Sequence, residues 1–278
     1  MKSYTQLDHP SILEYLFHPR QEIMSTQPEN SHDINVVVDD DIILGCRLFL
    51  KNNASPTLLY FHGNGETVSD YSLIAKLYQD VDINLFVATY RGYGWSTGTP
   101  NVTSMLNDCD TIFQEFKKTV NDLGITGPVF IMGRSLGCVS AIELCHQFPE
   151  STKGLIIESG FADTLPLLKK LGIDTDHLNL SEDQGFGNID KIAQVKLPTL
   201  ILHGSADAII SIAQAEKLQA FSGARTKKFF IIPGADHNEM ISRGGEHYFS
   251  TINGFINDVT GKNTWREKRR KYRKGGKI

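Results

Sequence analysis

Short apolar runs recur along this chain, with helical patterns between them. Residues 32–38 alternate apolar and polar positions, Asp39-Asp40-Asp41 is a turn, and residues 42–50 return as the second arm of a hairpin. Thr57–Phe61 is a continuous apolar run ending at His62-Gly63-Asn64-Gly65, followed by a helical pattern over 69–79. Residues 85–90 form another buried run, which gives way to Arg91-Gly92-Tyr93-Gly94 and a helix over 102–120. Val129-Phe130-Ile131-Met132 leads through a Gly-rich turn into a helical segment, 135–147. Leu155–Glu158 and residues 200–203 and 229–232 are strand-like, and Ile212–Phe221 and 246–259 are helical.

Continuous apolar strands alternating with helices predict an α/β fold with a mostly parallel central sheet and helices on both faces. The opening hairpin predicts an antiparallel N-terminal edge. Residues 161–192 interrupt the alternation: the segment is long for a crossover and carries Leu165, Leu167, Leu168 and Leu171 among Gly and Asp breakers. It is read as a small helical lid over the site, with Leu167 and Leu168 on its apolar wall. The alternative is an ordinary crossover helix with a long loop.

Composition adds boundaries. A length of 278 residues suits one large domain, 1–261, with little left over. No apolar run is long enough to span a membrane, and the first residues lack the apolar stretch of a signal peptide. Cys46, Cys109, Cys138 and Cys145 form no C-x-x-C pair, and buried free thiols in a reducing cytoplasm are expected. The net charge of -4 conceals an asymmetry: residues 262–278 carry +8 and the rest -12. That basic C-terminal tail cannot bury a core. It is expected to be solvated or folded back on the acidic domain, or to touch an anionic membrane surface or nucleic acid, with Trp265 and Tyr272 as interfacial anchors.

The chemistry gathers where strands end. Gly133-Arg134-Ser135-Leu136-Gly137 follows a strand and opens a helix, the pattern of a nucleophile elbow that presents a serine on a strained turn. A serine hydroxyl needs a general base, and that base needs an orienting carboxylate. His237 follows the last strand and Asp207 the one before it, so the chain order is Ser135, Asp207, His237. Glu158 and Asp236 compete as the acid. Asp207 is preferred because its H-G-x-x-D turn ends beside the terminal loop; Asp236 is adjacent to His237 and points away from it, and Glu158 is the fallback. An oxyanion hole is expected from the backbone N–H groups of Leu136 and Asn64, with His62 structural. Tyr93 and Trp95 are read either as acyl-pocket walls or as ordinary packing. There is no P-loop, no G-x-G-x-x-G after the first strand and no H-E-x-x-H, so no cofactor and no metal are expected.

His62-Gly63-Asn64, Tyr90-Arg91-Gly92-Tyr93-Gly94-x-Ser96-x-Gly98, the elbow, His203-Gly204-x-x-Asp207 and Ala235-Asp236-His237 together resemble the α/β-hydrolase superfamily. The likeness is greatest to the serine hydrolase branch with Bem-type proteins and protein depalmitoylases, and spans residues 35–259. It departs at Thr89, where many relatives carry Asp at a structural position. The resemblance implies a cofactor-independent hydrolase of esters or thioesters, acting on a small acyl substrate or an acylated protein. A peptidase or amidase with the same triad, and a non-catalytic binding scaffold, are the alternatives.

Overall fold

The structure, a computed structural model, describes residues 4–24 and 26–262. Residues 263–278, most of the basic tail with Trp265 and Tyr272, lie outside the described residues. The opening hairpin is β1 (Ser31–Asp39) and β2 (Ile42–Phe49), paired antiparallel with Ser31 opposite Phe49. β2 also runs antiparallel to β4 (Asn84–Ala88). From there the sheet is parallel through β3 (Thr57–Phe61), β5 (Val129–Arg134), β6 (Leu155–Glu158), β7 (Thr199–Gly204) and β8 (Lys227–Ile232). The strand order is β1-β2-β4-β3-β5-β6-β7-β8.

Successive side chains of a strand point to opposite faces, which is why the central strands are apolar throughout. Leu58 and Tyr60 of β3 face one core, together with Tyr71 and Ala75 of α2 (Tyr71–Asp80) and Ile252 and Phe255 of α8 (Met240–Val259). Leu59 and Phe61 face the other core. There they meet α3 (Val102–Asp122), α4 (Gly137–Gln147), α6 (Asn188–Gln194) and α7 (Ile212–Phe221). Two sequence expectations change here. α8 begins at Met240 rather than at residue 246, with a break at Gly245, whose φ is 48°. The 161–192 segment divides: α5 (Thr164–Lys170) stands over the sheet's carboxyl edge, whereas α6 is the crossover helix itself. Lys191 of α6 pairs with Glu143 of α4 and donates to the Tyr4 hydroxyl at 2.8 Å, tying the start of the chain to that layer.

The sequence pattern predicts no element over residues 4–24, but residues 4–22 are held against the domain from the Tyr4 hydroxyl to the Glu22 N–H. Pro10 at the first helical position and the His9 side chain, which accepts from the Ser11 N–H, start the short helix α1 (Pro10–Leu16). Asp8 accepts the N–H groups of Val102 and Thr103, capping α3 alongside Asn101.

Candidate active site

The turn between β5 and α4 is tight because its glycines admit no side chain. A Cβ on Gly133 would lie 2.2 Å from the Gly137 carbonyl oxygen, and one on Gly137 2.1 Å from that of Phe61. Ser135 is held between them at φ 50°, a left-handed conformation that costs a non-glycine residue on the order of 1–3 kcal/mol. Its Oγ lies 2.9 Å from His237 Nε2, and His237 Nδ1 lies 2.7 Å from Asp207 Oδ2. A carboxylate only accepts, so Nδ1 carries the proton and the Nε2 lone pair faces the hydroxyl. Asp207 is fixed in turn: its other oxygen accepts the N–H groups of Ile209 (3.0 Å) and Ile210 (2.8 Å).

The competing carboxylates are engaged elsewhere. One Glu158 oxygen accepts from the Tyr248 hydroxyl at 2.6 Å and the other faces Arg134 Nε at 3.3 Å. Burial pushes the Glu158 carboxyl up, with Arg134 pulling the other way. Asp236 braces the two loops, accepting the N–H groups of Ala208 (2.9 Å) and His237 (2.7 Å). Those bonds hold its carboxyl below the usual range.

Asn64 and Leu136 line the same cavity as Ser135. Among the described residues, neither backbone N–H has a hydrogen-bond partner. His62 is fully buried and structural: Nδ1 donates to the Gly63 carbonyl at 2.8 Å and Nε2 accepts from the Thr89 hydroxyl at 3.0 Å. Threonine at position 89 thus supplies the donor that a neutral ring needs. Tyr93 and Trp95 are packing residues. The Tyr93 hydroxyl donates to Asn64 Oδ1 at 2.6 Å, and Trp95 covers the buried Arg47, 5.1 Å from its guanidinium carbon. The cavity over Ser135 holds about 160 Å³ between apolar walls from Leu16, Leu167, Leu171 and Ile209. Leu167 takes the wall position expected of it, but Leu168 turns into the core and Leu171, one turn on, replaces it.

Sequence reasoning missed Arg134, the variable residue of the elbow. Its guanidinium donates to Glu66 Oε1 (2.6 Å), to the His237 carbonyl (3.1 Å) and to Asn238 Oδ1 (2.8 Å). Glu66 Oε2 accepts the Gly63 N–H at 2.6 Å. One buried cation therefore joins the loops bearing Asn64, Ser135 and His237. Burial alone would favour losing its proton; Glu66 and Glu158 outweigh that and raise its pKa. No signal in the sequence links these groups, which lie 68 and 103 residues apart.

Burial lowers the pKa of His62 and of His203, whose Nε2 donates to the Ile210 carbonyl. Each ring takes up its proton first in the unfolded chain. Their contribution to stability is full above the unfolded value of about 6.5 and is lost as pH falls below it toward the folded values. Urea midpoints are expected to drop from about pH 7.5 to about pH 5.5. Level midpoints would show that both rings accept protons in the folded state at no cost.

Comparison with known proteins fits this geometry. A family model described as serine aminopeptidase, S33, matches residues 52–171. Protein bem46 of Schizosaccharomyces pombe is 30% identical over 230 residues, covering 79% of this chain and 75% of that protein. The α/β hydrolase domain-containing protein WAV2 of Arabidopsis thaliana is 29% identical over 217 residues, 72% of this chain and 70% of its own. Among solved structures, the esterase Pf2001 of Pyrococcus furiosus superposes with a TM-score of 0.70 at 13% identity, over 87% of this chain and 98% of that one. Among the described residues, no helix is long and apolar enough to cross a membrane.

Proposed function

This chain belongs to the α/β-hydrolase superfamily, in the branch of the Bem46 proteins, and from that membership we propose that it is a serine hydrolase cleaving carboxylic esters or thioesters through an acyl-Ser135 intermediate. The observation that carries the reading is the hydrogen-bonded line Ser135, His237, Asp207, at 2.9 and 2.7 Å. In the proposed reaction His237 Nε2 takes the Ser135 proton as Oγ attacks the substrate carbonyl carbon. The N–H groups of Leu136 and Asn64 bind the resulting oxyanion. His237 then protonates the leaving alkoxide or thiolate, which departs as alcohol or thiol. Water repeats the sequence on the acyl-enzyme and releases the acid.

The serine aminopeptidase description of the matching family model raises peptide amides as substrates. An aminopeptidase must bind a substrate ammonium, which calls for a carboxylate with capacity to spare. Among the described residues, none of those lining the cavity is a carboxylate, and the carboxylates around it are engaged: Asp207 with His237, and Glu66 and Glu158 with Arg134. Esters and thioesters need no ammonium site. The cavity is also smaller than the roughly 300–1,000 Å³ of sites for drug-sized ligands, which favours short to medium acyl groups.

The test is labelling with a small fluorophosphonate, together with a panel of esters, thioesters and aminoacyl amides of graded acyl length. Labelling at Ser135 is expected. Each methylene that fits should raise kcat/KM roughly fourfold until the cavity is full, after which the series turns down. A chain that is neither labelled nor hydrolytic would be a binding scaffold, and preference for aminoacyl amides would make it a peptidase.

A further inference from the structure

We propose that Leu16, held in place by the N-terminal segment 16–20, is a specificity-determining wall of this site that sets the longest acyl chain Ser135 can receive. The inference rests on Ser135 being the nucleophile and goes beyond it by assigning selectivity to a stretch outside the sheet and outside the insertion.

Leu16 is the last residue of α1. The helix has seven residues, too few to stand alone, so its fold depends on docking Ile12 and Leu16, one turn apart and both buried. That docking places Leu16 in the cavity lining, where it shares the space over Ser135 with Leu167 and Leu171. Leu16 thus joins Leu167, Leu171 and Ile209, from segments far apart in the chain, in the apolar part of the cavity wall.

The wall is mounted rigidly. After Leu16 the chain turns extended, and the His18 N–H donates to Asn64 Oδ1 (2.8 Å) and to the Tyr93 hydroxyl (2.9 Å). Asn64 Nδ2 donates back to His18 Nδ1 at 2.8 Å. Two residues on, the Arg20 carbonyl accepts the Gly94 N–H at 2.9 Å, and the Glu22 N–H donates to the Gly94 carbonyl at 2.8 Å. The Arg20 guanidinium donates to Asp70 (2.6 Å) and to the Thr67 hydroxyl (2.9 Å). A segment fixed on both sides of Leu16 cannot retreat to admit a longer chain, so the size of residue 16 becomes a length limit. The apolar side of the lining, Leu16, Leu167, Leu171 and Ile209, suits the hydrocarbon part of an acyl group.

The experiment is a kcat/KM series on p-nitrophenyl esters from acetate to dodecanoate, with the full chain and with Leu16→Ala and Leu16→Phe. Leu16→Ala removes three carbon atoms from the wall, so the turning point should move to longer chains. The ratio of decanoate to butyrate should rise by about tenfold, at roughly fourfold per methylene accommodated. Leu16→Phe fills the space and should move the turning point toward acetate. Opposite shifts in the two variants support the wall, and either shift alone supports it if the other protein fails to fold. Wild-type profiles in both variants, with Ser135 still labelled by fluorophosphonate, overturn the wall and leave the serine reading intact. A wild-type chain that is neither labelled nor hydrolytic overturns both.

Discussion

Ser135→Ala is expected to remain folded while its turnover of an activated ester falls by roughly 10⁴ to 10⁶-fold. The substitution removes one oxygen from a half-buried position and keeps the Cβ, so the backbone strain at φ 50° is unchanged. What disappears is the only hydroxyl within 2.9 Å of His237 Nε2 among the described residues. The residual rate would come from oxyanion donors and binding. His237→Ala should lose a comparable amount, and the double variant little more, because nucleophile and base act as one unit. Circular dichroism and urea melts check the fold, and burst-free steady-state rates check the loss. Near wild-type turnover in folded Ser135→Ala would end the proposal.

Asp207→Asn should cost about 10⁴-fold in kcat, far more than Glu158→Gln. The local bonding supplies the reason. Asp207 Oδ1 is held by two backbone N–H groups, from Ile209 and Ile210, which require an acceptor. In the substituted amide the carbonyl oxygen must stay there, so the NH₂ turns to His237 Nδ1. A donor at that position favours the tautomer with its proton on Nε2, which cannot accept one from Ser135. Glu158→Gln keeps an acceptor for the Tyr248 hydroxyl and leaves Arg134 paired with Glu66. Its expected effect is on stability, with turnover reduced less than about tenfold. The two kcat values decide the matter: a larger loss for Glu158→Gln would transfer the acid to that residue.

Much of this architecture can be read from local pattern, since the information is local. The apolar runs of the central strands are dictated by burial on both faces, and β3 and α7 fall where periodicity sets them, at Thr57–Phe61 and Ile212–Phe221. The elbow is legible because its two glycines are forced by contacts within five residues and with the end of β3. Chain order also points to the residues that the fold brings to Ser135, with His237 2.9 Å from its hydroxyl and Asp207 2.7 Å from His237. Groups that meet through the fold are not. Leu168 and Leu171 look alike in sequence, and only the start of α5 at Thr164 decides which of them faces the cavity. α1 is too short for its period to register, although Pro10 followed by Ile12, Leu13 and Leu16 is the trace it leaves. Arg134 looks like a variable letter in the elbow motif because its four partners come from β6, the loop after β3 and the loop after β8.

That position of Arg134 has a consequence for how the molecule breathes. Surface loops normally open independently, each with its own small free energy. Here three loops share one guanidinium: opening the elbow or the Glu66 loop parts a carboxylate from its cation, and opening the His237 loop strips two acceptors from a buried guanidinium. Opening of the segments around Gly63, Ser135 and His237 is therefore expected to be coupled through Arg134. The site behaves as a single cooperative unit laid across the carboxyl edge of the sheet, and its amides should exchange with solvent as a group while the neighbouring loops exchange one by one.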